Sequence, residues 1–305
     1  MSWSTVAFAA GTLLVGVVYG VFAGRHNLPP AEGIVVAKNL TERLLWPTRR
    51  ERRTYWDSPF GWAVPCPAQP IVLLAVGQSN AANSLSDPVD ADPAAEAFVL
   101  WRGQCHRLAD PLPGATDTHG SLWTPLGQAL ARTTGRPVLV VAAAAGGSTL
   151  ADWTRPGSRL FAHLLRQAQD AATIGRPAQV VLWLQGEADA KRGGDVNAFA
   201  GDLEQFAARV FAELPLVPEA RLIVYRTSLC HATPRGNPAL REAQTRVAGA
   251  DPRLVIGPDT DRWGARHRAD GCHFNARGRN DVVADSLAVL LPLFTRETGG
   301  GDGAH

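Results

Sequence analysis

The sequence lacks the features that mark several classes of protein. Its 30 Lys and Arg nearly balance its 28 Asp and Glu, for a net charge of +2, so nothing in it indicates nucleic-acid binding. It has no internal repeat and no coiled-coil heptad. It also lacks any Cys-x-x-Cys or His-Glu-x-x-His pattern, and we expect neither a metal nor an organic cofactor. With 305 residues, 46% of them hydrophobic, the chain can form one large core.

Charge is missing altogether from the N-terminus. Residues 2–24 contain no charged side chain, and residues 6–23 are almost wholly apolar or small. Since about 20 such residues cross a bilayer core, we expect a transmembrane anchor over residues 1–25. A cleaved signal peptide ending near Ala23 and a buried core helix are the alternatives. The absence of a basic segment before the apolar run favours the anchor.

The strongest signal for chemistry is a serine directly after an apolar run. Residues 71–76 are Ile-Val-Leu-Leu-Ala-Val, and residues 77–80 are Gly-Gln-Ser-Asn. The run predicts a buried strand, and Gly77 permits a tight turn after it. Ser79 would then stand at the mouth of the sheet, where a nucleophile is useful. An ordinary turn serine that caps a helix is the alternative.

A second signal lies near the C-terminus, where Asp270 and His273 are three residues apart. In one turn this spacing lets the carboxylate contact the imidazole. The contact leaves the other ring nitrogen free to accept a proton from a serine. One alternative is a helix cap, and another is a metal site that adds His267 and Cys272.

Two further strands end in turns that could stabilise an anion. Residues 138–141 lead to Gly146-Gly147, whose N–H groups no side chain would cover. Residues 180–184 lead to Gln185-Gly186-Glu187, where a glutamine amide could supply another donor. Each turn alone is more typical of structure than of catalysis. Their order, at the ends of successive strands, predicts a crevice in an open α/β sheet.

In these blocks the chain resembles the SGNH hydrolases, specifically the branch with sialate O-acetylesterases and acetylxylan esterases. The matching segments are residues 77–80, 146–148 with Trp153, 185–189 and 270–275. The wider superfamily has Gly-x-Asn-Asp in its third block, where this chain has Gln-Gly-Glu. The branch often has histidine where this chain has Leu184.

The resemblance implies Ser79 as nucleophile, His273 as general base and Asp270 as the residue that orients it. It also implies an oxyanion hole from the N–H of Ser79, an N–H of the Gly-Gly pair and a side-chain amide. We assign these donors to Ser79, Gly146, Gly147 and Gln185. We expect the substrate to contact Gln78, Asn80, Trp153, Glu187 and His231. The alternatives are that Trp153 only packs its loop and that His231 is a solvent-exposed loop residue.

The fold predicted is α/β, a flavodoxin-like three-layer α/β/α architecture with a central parallel sheet, as in SGNH hydrolases. Helices are expected over 121–134, 160–173, 197–214 and 275–291, and further strands over 221–227 and 254–256. The α/β-hydrolase fold fits less well, because residues 77–81 lack the final glycine of its Gly-x-Ser-x-Gly elbow. Ser79 also follows the first credible strand of the chain.

The expected domains are the anchor at 1–25, a linker at 26–68 with an amphipathic helix, a catalytic domain at 69–295 and a disordered tail at 296–305. Basic residues follow the anchor and none precedes it, which would place the domain in the cytoplasm. The resemblance implies O-acetylated glycan substrates, which are found outside the membrane, and the even number of cysteines is compatible with disulfides. We therefore expect a membrane-anchored protein with an extracytoplasmic catalytic domain. Cys230 and Cys272 lie at the same edge of the sheet, and we expect them to pair. Two buried free thiols are the alternative.

The function predicted is a serine esterase that removes acetyl groups from an O-acetylated carbohydrate. An acetyltransferase with the same triad, a glycan-binding protein without activity, and a lipase- or thioesterase-like hydrolase are the alternatives. The expected partners are the substrate and the membrane, and the oligomeric state stays open.

Overall fold

A computed structural model describes residues 62–230 and 236–294. These residues form a seven-stranded sheet in the order β3-β2-β4-β1-β5-β6-β7. The strands are β1 (Ile71–Gly77), β2 (Ala97–Trp101), β3 (Gln104–Arg107), β4 (Val138–Ala144), β5 (Ala178–Leu184), β6 (Leu216–Arg226) and β7 (Leu254–Asp259). The helices are α1 (Trp123–Thr134), α2 (Leu150–Thr154), α3 (Arg159–Thr173), α4 (Glu187–Arg192), α5 (Val196–Glu213), α6 (Pro238–Ala250) and α7 (Ala276–Phe294). Three short 3-10 helices cover Ser79–Ala81, Thr260–Arg262 and Ala265–His267.

The order of the strands explains where a crevice opens. Strand β1 lies in the middle and pairs in parallel with β4 on one side and β5 on the other. Among the strands β4, β1, β5, β6 and β7, this is the flavodoxin-like order. The chain leaves β1 in the direction of β2, toward one edge of the sheet, and leaves β4 in the direction of β5, toward the other edge. A crevice therefore forms beyond the carboxyl ends of these two strands. The expected central parallel sheet is confirmed, with one antiparallel pair at its edge, where β3 pairs with β2.

Two apolar layers cover the sheet, one on each face. On β1, Val72, Leu74 and Val76 face the layer that includes α2, α3, α5 and α6. The intervening residues of β1 face the layer that includes α1 and α7. Both sets are almost wholly buried, because successive side chains of a strand point to opposite faces. A strand covered on both sides explains the uninterrupted apolar run in the sequence.

Some expectations fall outside the described residues. These are the anchor at 1–25, the amphipathic helix of the linker, the tail at 296–305 and His231. Among the helices that are described, none has the length and hydropathy to cross a bilayer. The end of the expected linker is attached to the sheet, since the N–H of Val64 donates to the carbonyl of Cys105 at 2.8 Å. Cys66 is disulfide-bonded to Cys105.

Candidate active site

The nucleophile turn depends on close packing between two strands. Gly77 has φ +141°, and a Cβ at this position would lie 2.0 Å from the carbonyl oxygen of Leu184. Only glycine fits this backbone and this gap. The chain then enters the 3-10 helix at Ser79, which is 8% exposed. Among the described residues the Ser79 hydroxyl has no hydrogen-bond partner, and it is not sealed from solvent. It is therefore available to a substrate.

Asp270 and His273 form the carboxylate–imidazole pair that their spacing predicted. The Nδ1 of His273 lies 2.7 Å from one carboxylate oxygen of Asp270. The other oxygen accepts the backbone N–H groups of Cys272 at 2.9 Å and His273 at 2.8 Å. A carboxylate acceptor keeps the proton on Nδ1, which leaves Nε2 as a base. In the described part of the chain no hydrogen bond joins Nε2 to the Ser79 hydroxyl, a contact that often closes only when substrate binds.

The pair shifts the acidity of both partners. Burial raises the pKa of Asp270, but the hydrogen bonds and the charge of His273 outweigh it and hold that pKa well below its ordinary value. Partial burial lowers the pKa of His273, but the hydrogen bond to Asp270 and the nearby carboxylates outweigh it and raise that pKa above 6.5. Asp270 is thus ionised throughout the neutral range, and the imidazolium is stabilised when it forms.

Asn80 ties the nucleophile turn to the histidine loop. Its amide nitrogen donates to Glu187 Oε1 at 2.8 Å and to the carbonyl of Cys272 at 3.1 Å. Its amide oxygen accepts the N–H of Phe274 at 3.2 Å. Asn80 and Glu187 are both fully buried. The residue after the nucleophile therefore fixes the backbone on both sides of His273.

A disulfide bond holds the same loop from another side. Cys230 is bonded to Cys272, the neighbour of His273. The pairing expected from the sequence is confirmed, and the free-thiol alternative is wrong. The histidine loop is thus fixed to the segment that follows β6.

The loop before α1 forms one wall of the site. The N–H of Gly146 donates to the hydroxyl of Thr116 at 2.8 Å. A Cβ on Gly146 would lie 3.8 Å from the Cβ of Ser79 and 3.5 Å from a carboxylate oxygen of Asp117. Gly146 therefore lies beside both Ser79 and Asp117. The sequence reasoning missed Thr116 and Asp117, which belong to no strand or helix.

Two glutamines lie below the nucleophile turn. The amide nitrogen of Gln185 donates to Gln78 Oε1 at 3.0 Å, to the carbonyl of Ser148 at 2.7 Å and to Asp189 at 2.7 Å. All three partners are acceptors, which fixes the orientation of this amide. The oxygen of Gln78 also accepts the N–H of Ala188 at 2.9 Å. Within the described chain the nitrogen of Gln78 has no partner, and it is not sealed from solvent.

Comparison with protein families identifies the chain. The family described as carbohydrate esterase, sialic acid-specific acetylesterase (SASA), matches residues 69–288. This chain belongs to that family. SASA proteins are carboxylic ester hydrolases that act on carbohydrates, and the match covers every residue placed in the site above.

Comparison with solved structures found similar chains. A protein from Arabidopsis thaliana is 17% identical, with a TM-score of 0.61 over 75% of this chain and all of that one. NanS is 16% identical, with a TM-score of 0.49 over 77% of this chain and all of that one. The carbohydrate acetylesterase XAC1771 from Xanthomonas citri is 17% identical, with a TM-score of 0.48 over 72% of this chain and 55% of that one. A search of curated proteins gave no match. At 17% identity, the Arabidopsis structure supports the fold alone.

In this SASA protein, two of the groups expected to donate to the oxyanion already have other hydrogen-bond partners. Gln185 is fully buried, and its amide nitrogen is occupied by three acceptors. The N–H of Gly146 is occupied by Thr116. Neither group is free to hold an oxyanion. The N–H groups of Ser79 and Gly147 have no hydrogen-bond partner among the described residues.

Three expected substrate contacts are also corrected. Asn80 and Glu187 are fully buried, and Trp153 is 1% exposed. Trp153 packs edge-on against Trp183 and Phe206 in the core, so it offers no face to a sugar. The alternative in which Trp153 packs the structure is the correct one.

The metal-site alternative does not fit the observed contacts. Cys272 is in a disulfide, and Asp270 is bound to His273. The remaining candidate ligand, His267, has its Nε2 3.4 Å from Asp281 on α7. The side chains that would bind a metal therefore have other partners.

Proposed function

We propose that this carbohydrate esterase removes O-acetyl groups through an acyl-serine intermediate, with Ser79 as nucleophile, His273 as general base and Asp270 as the residue that orients the base. The observation that supports it most is the His273–Asp270 hydrogen bond of 2.7 Å, on a loop that Asn80 ties to the turn carrying Ser79. His267 also lies beside a carboxylate, that of Asp281, but its second ring nitrogen is sealed from solvent.

The reaction follows from these roles. Nε2 of His273 takes the proton of the Ser79 hydroxyl as its oxygen attacks the acetyl carbonyl. The imidazolium then protonates the sugar oxygen as it leaves. Water, deprotonated by His273, attacks the acyl-serine and releases acetate. Asp270 stays ionised throughout and stabilises the imidazolium.

The oxyanion donors that we propose are the backbone N–H groups of Ser79 and Gly147, which have no hydrogen-bond partner in the described chain. The side-chain amide of Gln78 replaces Gln185 as the third donor. Its oxygen accepts hydrogen bonds from Ala188 and Gln185, which leaves its nitrogen as the group of this residue that can donate to a substrate. Removing one such donor costs about 2.7–4 kcal/mol of transition-state stabilisation in comparable sites.

Kinetics of Ser79→Ala test this function. We expect the wild-type protein to hydrolyse p-nitrophenyl acetate and acetylated sugars, and Ser79→Ala to lose roughly a thousandfold or more in kcat. Ser86→Ala is the matched control, because Ser86 is exposed and bonds only to Asp87. Equal activity of Ser79→Ala and wild type would contradict the assignment.

Product analysis separates the competing activities. An acetyltransferase would move the acetyl group to an added acceptor sugar, whereas an esterase releases acetate. A strong preference for long acyl chains would indicate a lipase- or thioesterase-like enzyme. Absence of turnover in the folded protein would favour a glycan-binding role.

For localisation we propose an extracytoplasmic catalytic domain on an N-terminal membrane anchor. The support is that all four cysteines are in disulfides, which persist in oxidising compartments. Protease digestion of intact cells and of inverted vesicles tests it. Cleavage of the domain only in inverted vesicles would contradict it.

A further inference from the structure

The wall of the site carries a carboxylate that the proposed mechanism does not use. Asp117 is exposed and adopts φ 66°, a left-handed conformation that Asp tolerates better than most residues. The hydroxyl of Ser84 donates to its carboxylate. The carboxylate is thus held by the segment that follows the nucleophile.

The loop beneath Asp117 is fixed by Asn83, which is buried. Its side-chain oxygen accepts the N–H of Leu112 at 2.7 Å, and its side-chain nitrogen donates to the carbonyl of Leu112 at 2.8 Å. Its backbone N–H donates to the carbonyl of Thr116 at 3.0 Å. Loop and nucleophile segment therefore form one hydrogen-bonded unit, and the position of the carboxylate is set before substrate binds.

Asp117 lies close to the reacting centre. A single point, the position that a Cβ on Gly146 would occupy, is 3.5 Å from a carboxylate oxygen of Asp117 and 3.8 Å from the Cβ of Ser79. The carboxylate oxygen of Asp117 and the Cβ of Ser79 are therefore at most 7.3 Å apart, because neither can lie farther from the other than the two distances together. This separation is comparable to the distance from an ester carbonyl to a hydroxyl on the neighbouring carbon of a sugar ring.

Among the described residues, the charges that act most strongly on His273 are negative. The strongest charge effects on His273 come from Asp270, Glu187 and Asp117, all of which raise its pKa. The guanidinium of Arg268 lies in the same network, but its side chain is fully buried. It is bound to the carbonyls of Cys272 and Thr260. Arg268 cannot reach the carboxylate of a bound sugar.

We propose that Asp117 selects uncharged O-acetylated sugars over acetylated sialic acids. Its carboxylate accepts a hydrogen bond from a hydroxyl next to the acetylated position and repels a carboxylate on the sugar. Asp117 is a specificity-determining residue and takes no part in proton transfer. This inference rests on the proposed function, and it separates this chain from the sialic acid specificity in the family description.

The test compares wild type, Asp117→Asn and Glu204→Gln on three substrates. Glu204 is exposed on α5, so the control removes the same charge elsewhere. The substrates are p-nitrophenyl acetate, an acetylated methyl xyloside and an O-acetylated N-acetylneuraminic acid. We expect wild type to prefer the neutral sugar. In Asp117→Asn the ratio of kcat/KM between neutral and anionic sugars should fall about tenfold, as expected for unit charges a few ångströms apart near a surface.

The dependence of kcat/KM on salt separates a charge effect of Asp117 from a purely structural role. In wild type, kcat/KM for the anionic sugar should rise with ionic strength, because salt screens the repulsion. This rise should be lost in Asp117→Asn and kept in Glu204→Gln. An unchanged substrate ratio in Asp117→Asn, with normal activity on p-nitrophenyl acetate, overturns this inference alone. Absence of activity on all three substrates overturns the proposed function as well.

Discussion

The two disulfides offer a matched perturbation of the site. Cys66–Cys105 spans 39 residues and Cys230–Cys272 spans 42. In the chain-entropy model, a closed loop of this length stabilises the fold by about 4 kcal/mol. Their positions differ, because Cys105 is on edge strand β3 whereas Cys272 adjoins His273. Strand β3 lies three places from β1 in the sheet, or roughly 14 Å at the usual spacing of strands.

Replacing both cysteines of either pair by alanine should therefore cost the same stability. For a domain of this size a loss of about 4 kcal/mol lowers Tm by roughly 8–16 °C. Only Cys230→Ala/Cys272→Ala should also lower kcat, by about tenfold or more, because small displacements of a catalytic group are costly. Urea unfolding followed by tryptophan fluorescence gives the stability. Hydrolysis of p-nitrophenyl acetate, measured well below both values of Tm, gives kcat.

Two results would refute this reasoning. If both double variants lost kcat equally, the effect would be general loosening and not placement of His273. If Cys230→Ala/Cys272→Ala kept full kcat, the other contacts of the loop would suffice, and the disulfide would serve stability alone.

Two further predictions concern the histidine loop. Neutral His273 is the base and its pKa is raised, so kcat/KM should fall as the pH drops through a midpoint above 6.5. Asp270→Asn should move that midpoint down. A midpoint that did not move would contradict the role of Asp270. Asn80→Ala leaves the N–H of Phe274 and a carboxylate oxygen of Glu187 without their partners. At about 1–3 kcal/mol for each unpaired group, the free energy of unfolding measured by chemical denaturation should fall by about 2–6 kcal/mol. A loss below about 1 kcal/mol would show that Asn80 does not tie the two loops together.

Much of the fold follows from apolar patterning. The buried runs at 71–76, 138–141 and 180–184 predicted β1, β4 and β5, the strands that bound the crevice. Strand β2 (Ala97–Trp101) and strand β3 (Gln104–Arg107) were missed. Strand β3 has the burial pattern exposed, buried, intermediate, exposed, which leaves little apolar signal in its sequence. Helix α6 (Pro238–Ala250) was also missed.

The site was predictable where its contacts are local and not where they are distant. Asp270 and His273 are three residues apart, so their contact could be read from the sequence. Gly146 meets Thr116 across 30 residues, and nothing in the sequence indicated that this N–H is occupied. Gln185 was misassigned because an amide after a strand fits an interior network as well as an oxyanion hole. Burial, which decides between these, depends on the packed structure.

The most direct test of the account is to trap the nucleophile. A p-nitrophenyl alkylphosphonate should add one phosphonyl group to the wild-type protein, and mass spectrometry of its peptides should place the group on Ser79. Ser79→Ala should take up none, and Asp270→Asn should react more slowly because its base is poorly oriented. Labelling of a different residue, or equal labelling of Ser79→Ala, would contradict the acyl-serine mechanism.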